Sequence, residues 1–318
     1  MPDIRGTEAF ERFLDVILST STTDRTPWTP ENRYRPDYTV LQRLLSVPVR
    51  QGAAQQSGRL ARATDAWVAH ELRCAGFGPN EVWPRAKRPR VLPQPLAGVE
   101  AAAGAEQPAA IRRVLRGWSQ AYLLGQYYRK QVDVVIADWD RGPELIVSTK
   151  SMLSSYWNNL RNRFEEFVGD ARNLRGRYPL AAIGILFVVR STITEETGAF
   201  DFLVDMLIRL RNPDLYDTAG LLVVRWDDDD FGSWKGDLPL TDANDLAARA
   251  EVPAAVSLSP VEAPELLKPD RFLADLISCV LARTPVTYHV RSRELRAGRA
   301  IPVKEEHQGA GEPEPDQP

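Results

Sequence analysis

The chain is poor in the side chains that hold metals by nitrogen or sulfur. Its 318 residues include two cysteines, Cys74 and Cys279, and three widely separated histidines, His70, His289 and His307. Two thiols make neither a disulfide framework nor a multi-thiolate zinc site, so haem, iron–sulfur and structural zinc are not expected. Long apolar runs are missing too. The longest, Leu180 to Val189, has the length of a strand and falls short of the ~18 to 20 residues of a membrane helix. The first residues, MPDIRGTEAF, carry no basic segment followed by an apolar one, so a secretory signal is not expected. Glycine-rich phosphate loops of the Gly-x-x-x-x-Gly-Lys-Ser/Thr and Gly-x-Gly-x-x-Gly types are absent, which leaves no sequence basis for an ATP motor or a dinucleotide cofactor. No spacing suggests a Ser–His or Cys–His nucleophile pair. The expectation is a soluble, cytoplasmic protein.

What is present is an ordinary globular composition, 43% hydrophobic and 26% charged, enough to bury a full core. The net charge is only −3, but its distribution is uneven. Between Arg112 and Arg190 there are 13 Arg or Lys against 7 Asp or Glu, whereas Asp227 to Asp230 and the C-terminal tail are acidic. A basic middle is compatible with a phosphate-facing surface. The four consecutive aspartates read as a hydrated turn.

Apolar spacing predicts helices over 7–18, 38–45, 59–75, 111–124, 155–174, 200–210 and 270–283. Strands are predicted over 132–139, 144–149, 180–189 and 221–226, the first two joined as a hairpin by Asp140-Arg141-Gly142. Residues 84–110, rich in Pro, Ala and Gly, read as an irregular insertion, residues 50–58 as a loop and residues 303–318 as a disordered segment. The order implies an α/β protein with a mixed central sheet flanked by helices. The domain reading is a helical N-terminal extension over 1–58, a core over 59–290 and a polar tail over 291–318.

The stretch that carries chemistry is QVDVVIADWDRGPELIVSTK, residues 131–150. Asp133 begins one strand and Lys150 ends the next. Alternation puts Ser148 and Lys150 on one face, and a hairpin brings the Asp133 carboxylate beside it. An acid and an amine at the open end of a sheet can hold a divalent metal and a water over a phosphodiester.

This arrangement resembles the PD-(D/E)xK nuclease superfamily, the restriction-endonuclease-like fold with an α-β-β-β-α-β core. The resemblance covers roughly residues 59–230. The usual second acid is replaced by Ser148 in Ser148-Thr149-Lys150, as in a restriction-endonuclease branch whose acid has moved onto the following helix, about fourteen residues after the lysine. Glu165 and Glu166 lie fifteen and sixteen residues after Lys150, and Glu165 is the preferred match. Glu71, in the 59–75 helix, matches a further glutamate that the first core helix of such enzymes often carries.

The resemblance implies a magnesium-dependent DNA endonuclease, with manganese as the alternative ion, in restriction or phage defence. Asp133, Glu165 or Glu166, and Glu71 would bind the metal, and Lys150 would position the water. The substrate would be double-stranded DNA. A homodimer or homotetramer would supply the second cut, and a methyltransferase or another defence-system protein would be a partner. Arg161, Arg163, Arg172, Arg175 and Arg177, with Ser151, Ser154, Ser155, Asn158 and Asn159, are candidate DNA contacts. Glu144 shares the Ser148 face and is a weaker candidate for the site. Because position 148 is serine, two other readings stand beside this one: a DNA-binding or assembly subunit that kept the nuclease fold but lost catalysis, and a structural subunit of a defence complex recruited by the N-terminal helices.

Overall fold

The computed structural model describes residues 6–53, 58–103, 120–234, 253–259 and 263–298. Three helices come first: α1 (Thr7–Thr20), α2 (Tyr38–Arg50) and α3 (Arg59–Cys74). Strand β1 (Val82–Trp83) and helix α4 (Gln94–Ala103) follow, then β2 (Ala121–Leu124), β3 (Arg129–Val132), β4 (Val134–Asp138) and β5 (Gly142–Met152). The remainder is α5 (Tyr156–Arg175), β6 (Ala182–Arg190), α6 (Ala199–Leu210), β7 (Thr218–Arg225), β8 (Ser257–Leu258), α7 (Pro269–Arg283) and α8 (Val290–Arg296).

Six strands form one mixed sheet in the order β1-β4-β5-β6-β7-β8. Strands β1, β4 and β5 are antiparallel neighbours, β5, β6 and β7 run parallel, and β8 pairs antiparallel with β7. The protein is therefore α/β with a mixed central sheet, as the sequence pattern predicts. Strands β2 and β3 pair only with each other, as a separate hairpin. Among the described residues no helix is long and apolar enough to cross a membrane.

Both faces of the sheet are covered, which explains why LAAIGILFVV and LLVV are continuously apolar instead of alternating. Val134, Ile136, Leu145, Val147, Leu186 and Leu222 join α1, α2, α3 and α7 in one core. Val135, Ile146, Ile183, Ile185, Phe187 and Leu221 join α5 and α6 in the other. Helices α1 and α2 thus share a core with α3 and the sheet.

Several expectations change. Residues 121–124 are a strand, not the end of a helix over 111–124, because Tyr122 and Leu124 alternate with Ala121 and Leu123 and pair across to β3; residues 111–119 lie outside the described residues. The 84–110 insertion contains helix α4 and buries Arg85 and Arg90 among carboxylates of α1 and α4. Residues 104–110 and the tail from 299 lie outside the described residues, and α8 occupies the start of what reads as tail.

Helix α7 approaches β6 and β7 over bare backbone. A Cβ on Gly220 would lie 2.8 Å from Leu186 Cδ1 and 2.9 Å from Phe272 Cβ. Gly220→Ala is therefore expected to overpack this layer and lower the unfolding free energy by ~1–3 kcal/mol, measured by urea denaturation; an unchanged midpoint would show that the layer has slack.

Candidate active site

The hairpin turn, Asp140 to Gly142, lets β5 run back along β4 in a register that pairs Val134 with Val147. One step further out, the register sets Asp133 opposite Ser148. The Thr149 backbone N–H donates to Asp133 Oδ2 at 2.9 Å, which pins the carboxylate to the neighbouring strand. The alternation of β5 then sorts three consecutive side chains. Ser148 and Lys150 point toward α5, and Ser148 is buried beside the Tyr216 hydroxyl. Thr149 points to the opposite face, where its hydroxyl donates to Asp65 of α3.

Helix α5 buries a stripe of Leu160, Phe167, Ala171 and Leu174. Beside that stripe Glu166, Asp170 and Asn173 recur at helical spacing and form a polar flank. Glu166 Oε1 lies 3.6 Å from Lys150 Nζ and its Oε2 2.6 Å from Arg163. Asp170 is buried, 2.5 Å from Lys130 Nζ, and accepts the Tyr128 hydroxyl. Asn173, fully buried, accepts the backbone N–H of Tyr127 and of Tyr128 at its Oδ1 and donates from Nδ2 to the Tyr128 carbonyl.

Electrostatics divide the acids. Burial pushes the Asp133 carboxyl up, against the pull of Lys150, of the Thr149 N–H and of Lys130. Burial pushes Asp65 well above the usual carboxylate range, and the nearby Asp133 charge adds to the shift. Glu166 goes the other way. Partial burial would raise it, but the Arg163 hydrogen bond and the Lys150 charge outweigh that and hold it below its ordinary value. Lys150 lies between two of these acids: its ammonium faces Glu166 at 3.6 Å, and its charge acts on Asp133.

The other sequence candidates lie elsewhere. Glu165 is exposed, one residue and about 100° of helix from Glu166. Glu71 is fully buried away from Lys150: Arg25, the Tyr34 hydroxyl and the Asp37 N–H occupy its two oxygens. The α3 acid that reaches the sheet beside Asp133 is Asp65, six residues earlier and ~9 Å along the helix axis. Glu144 is held by Arg141 and His289 at the far end of β5. Arg175 clamps Asp217 together with Arg283, whereas Arg161, Arg163, Arg172 and Arg177 are exposed. Asp228 to Asp230 form a short turn, with Asp228 paired to Arg190. Sequence reasoning missed Asp65, Lys130, Asp170 and Asn173; the signal for the last two was their four- and seven-residue spacing from Glu166.

A metal at this place would meet an all-oxygen donor set, which suits magnesium rather than a soft ion. Among the described residues no three acidic, His or Cys side chains gather closely enough to hold an ion. An ion here would rest on Asp133 and Glu166, with water and substrate oxygens completing its shell, and magnesium accepts that sparse protein ligation. On the α3 side of Asp133 lies a small cleft of ≈ 50 Å³, lined by Asp65, Arg62, Trp83, Gln120 and Gln131 among others.

Asp65 supplies a pH test. Its raised pKa means that the folded state keeps a proton the unfolded chain has released, so its contribution is full below the ordinary carboxylate pKa and is lost as pH rises toward the raised value. Asp65→Asn keeps an oxygen for the Thr149 hydroxyl without titrating. Relative to the parent, the variant is expected to gain stability as pH rises above the ordinary carboxylate range of about 4, read by urea denaturation at each pH; a pH-independent difference would contradict the assignment.

Compared with protein-family models, curated proteins and solved structures, the chain matches none.

Proposed function

We propose that the protein is a magnesium-dependent DNA endonuclease with a restriction-endonuclease-like core. The observation that carries this reading is the position of Lys150 at the open end of the β4–β5 hairpin, where its charge acts on Asp133 and its ammonium faces Glu166. The element order supports it. Helix α3, strands β1, β4 and β5, helix α5 and strand β6 follow the α-β-β-β-α-β sequence of the PD-(D/E)xK superfamily, with the β2–β3 hairpin inserted. The shift of the second acid from position 148 to the following helix suits the branch that the sequence resembles, with Glu166 in the place expected of Glu165.

In this mechanism Asp133 and Glu166 would hold magnesium, which would acidify a bound water and neutralise charge on the phosphate. Lys150 orients the attacking water and faces the anionic phosphate as it gains charge. The water oxygen bonds to phosphorus, one ester P–O bond breaks, and the leaving oxygen takes up a proton. Thr149 positions Asp133 through its backbone N–H, and Asp65 fixes Thr149 from the other face. Restriction or phage defence is the setting the resemblance implies, with a symmetric oligomer supplying the second strand cut.

A second reading is a DNA-binding subunit without catalysis. It is favoured by Ser148 at the acid position and by the ammonium groups that already neutralise Glu166 and Asp170. Plasmid nicking with and without magnesium separates the two. Magnesium-dependent nicking is expected, reduced ~10³-fold or more (about 4 kcal/mol of barrier) by Asp133→Asn and by Lys150→Ala, with folding retained. Glu166→Gln is expected to be similarly damaging and Glu165→Gln to stay within about threefold of the parent. Retained nicking by the Asp133 and Lys150 variants would refute the site.

A further inference from the structure

The β2–β3 hairpin stands outside the large sheet, and two strands alone are marginal in water. Its inner side is nevertheless firmly fixed. Asn173 binds the backbone of the turn, the Tyr178 hydroxyl donates to the Leu124 carbonyl, and Lys130 reaches buried Asp170. The outer side is open. Tyr122 is 45% exposed, Leu124 55% and Tyr127, at the tip, 73%. Cross-strand pairing sets Tyr122 beside Gln131 and Leu124 beside Arg129 on that side. The Arg129 guanidinium lies 4.2 Å from the centre of the Tyr122 ring, which holds it extended along the ribbon.

Such a patch of aromatic, apolar and cationic side chains on a rigid support marks a contact surface. Its charge indicates the partner. Residues 120–132 contain Arg129 and Lys130 and no acid, and residues 151–164, on the other side of Lys150, contain Arg161 and Arg163 and no acid. On the α5 side Glu196 holds the Tyr156 and Trp157 N–H groups and Arg163 pairs with Glu166, so the charge open to a polyanion is Arg129 on the hairpin. Strand β3 leads into Asp133 with only three residues between Arg129 and that aspartate, a reach of ~13 Å along an extended chain. A two-stranded ribbon fits the major groove of B-form DNA, ~12 Å wide.

We propose that the β2–β3 hairpin is a DNA-reading ribbon that enters the major groove of the duplex beside the scissile phosphate, with Arg129 and Tyr127 as its principal contacts. The proposal rests on the nuclease reading for the position of the phosphate. The preset guanidinium of Arg129 meets base-edge acceptors or phosphate oxygens, and Tyr127 packs at the tip.

The test is binding of a fluorescent duplex of about 25 base pairs by full-length Asp133→Asn protein, with and without Tyr127→Ala and Arg129→Ala. Both positions are on the exposed side, and circular dichroism and thermal melting verify folding. Each substitution is expected to weaken binding about tenfold, and Arg129→Ala to reduce the slope of log affinity against log salt by about one. Duplex with bulky C5-pyrimidine substituents, which fill the major groove, is expected to bind poorly to the Asp133→Asn parent but no worse than plain duplex to the double variant. Binding unchanged by either substitution, or parent binding that prefers single strands or RNA to duplex, overturns the proposal. Failure of magnesium-dependent nicking with hairpin-dependent duplex binding intact would remove the nuclease reading and leave the ribbon standing. Nicking that survives while the hairpin variants bind normally would remove the ribbon alone.

Discussion

Coverage of the sheet on both faces is the constraint on which the rest depends. A strand buried above and below has nowhere to put a charge except where its cover ends, and β5 obeys this. Leu145, Ile146 and Val147 are fully buried, Ser148 and Thr149 are buried polar groups with partners nearby, and Lys150 is the first charge to emerge. The Asp133 carboxylate sits beside it because the hairpin brings the start of β4 to the same margin. The polar centre is therefore a consequence of how the hydrophobic layers stop, and its side chains inherit the rigidity of those layers.

Charge in this region is closely matched. Lys150 faces Glu166 and Lys130 faces Asp170, while burial raises the carboxyls of Asp65 and Asp133 above their ordinary values. Raised carboxyl pKa values at two neighbouring acids mean that added positive charge would be welcomed there.

Much of this was readable from residues alone. Apolar runs gave the strands, and the Asp140-Arg141-Gly142 turn gave the hairpin that joins Asp133 to Lys150. The choice between glutamates was not readable. Glu165 lies about 150° from the middle of the Leu160–Phe167–Ala171–Leu174 stripe and Glu166 about 110° on the other side, and whether the Glu166 flank turns toward β5 follows from the hand of the crossover to β6, a tertiary property. Glu71 was misleading for a related reason. Its helix is buried nearly all round, so a single stripe does not identify the side that meets the sheet, and the acid that does so, Asp65, is recognisable only once β5 lies against it. The β2–β3 hairpin was hidden because four-residue strands have too few alternations to outweigh the helical pattern of the preceding residues.

The Asp217 junction gives the molecule two unequal poles. There one carboxylate gathers the end of α5 through Arg175, the end of α7 through Arg283 and the β6 backbone through the Ile183 N–H, at the end of the strands farther from Lys150. That pole is held by a bidentate contact from Arg283 and a single one from Arg175, whereas at the other Lys150 and Lys130 each meet a carboxylate through one ammonium and Arg163 also pairs with Glu166. Dissolved ions should thus weaken the part-exposed Lys150 and Arg163 pairs on Glu166 more than the buried Asp217 carboxylate, so salt acts more on one end of the molecule than on the other.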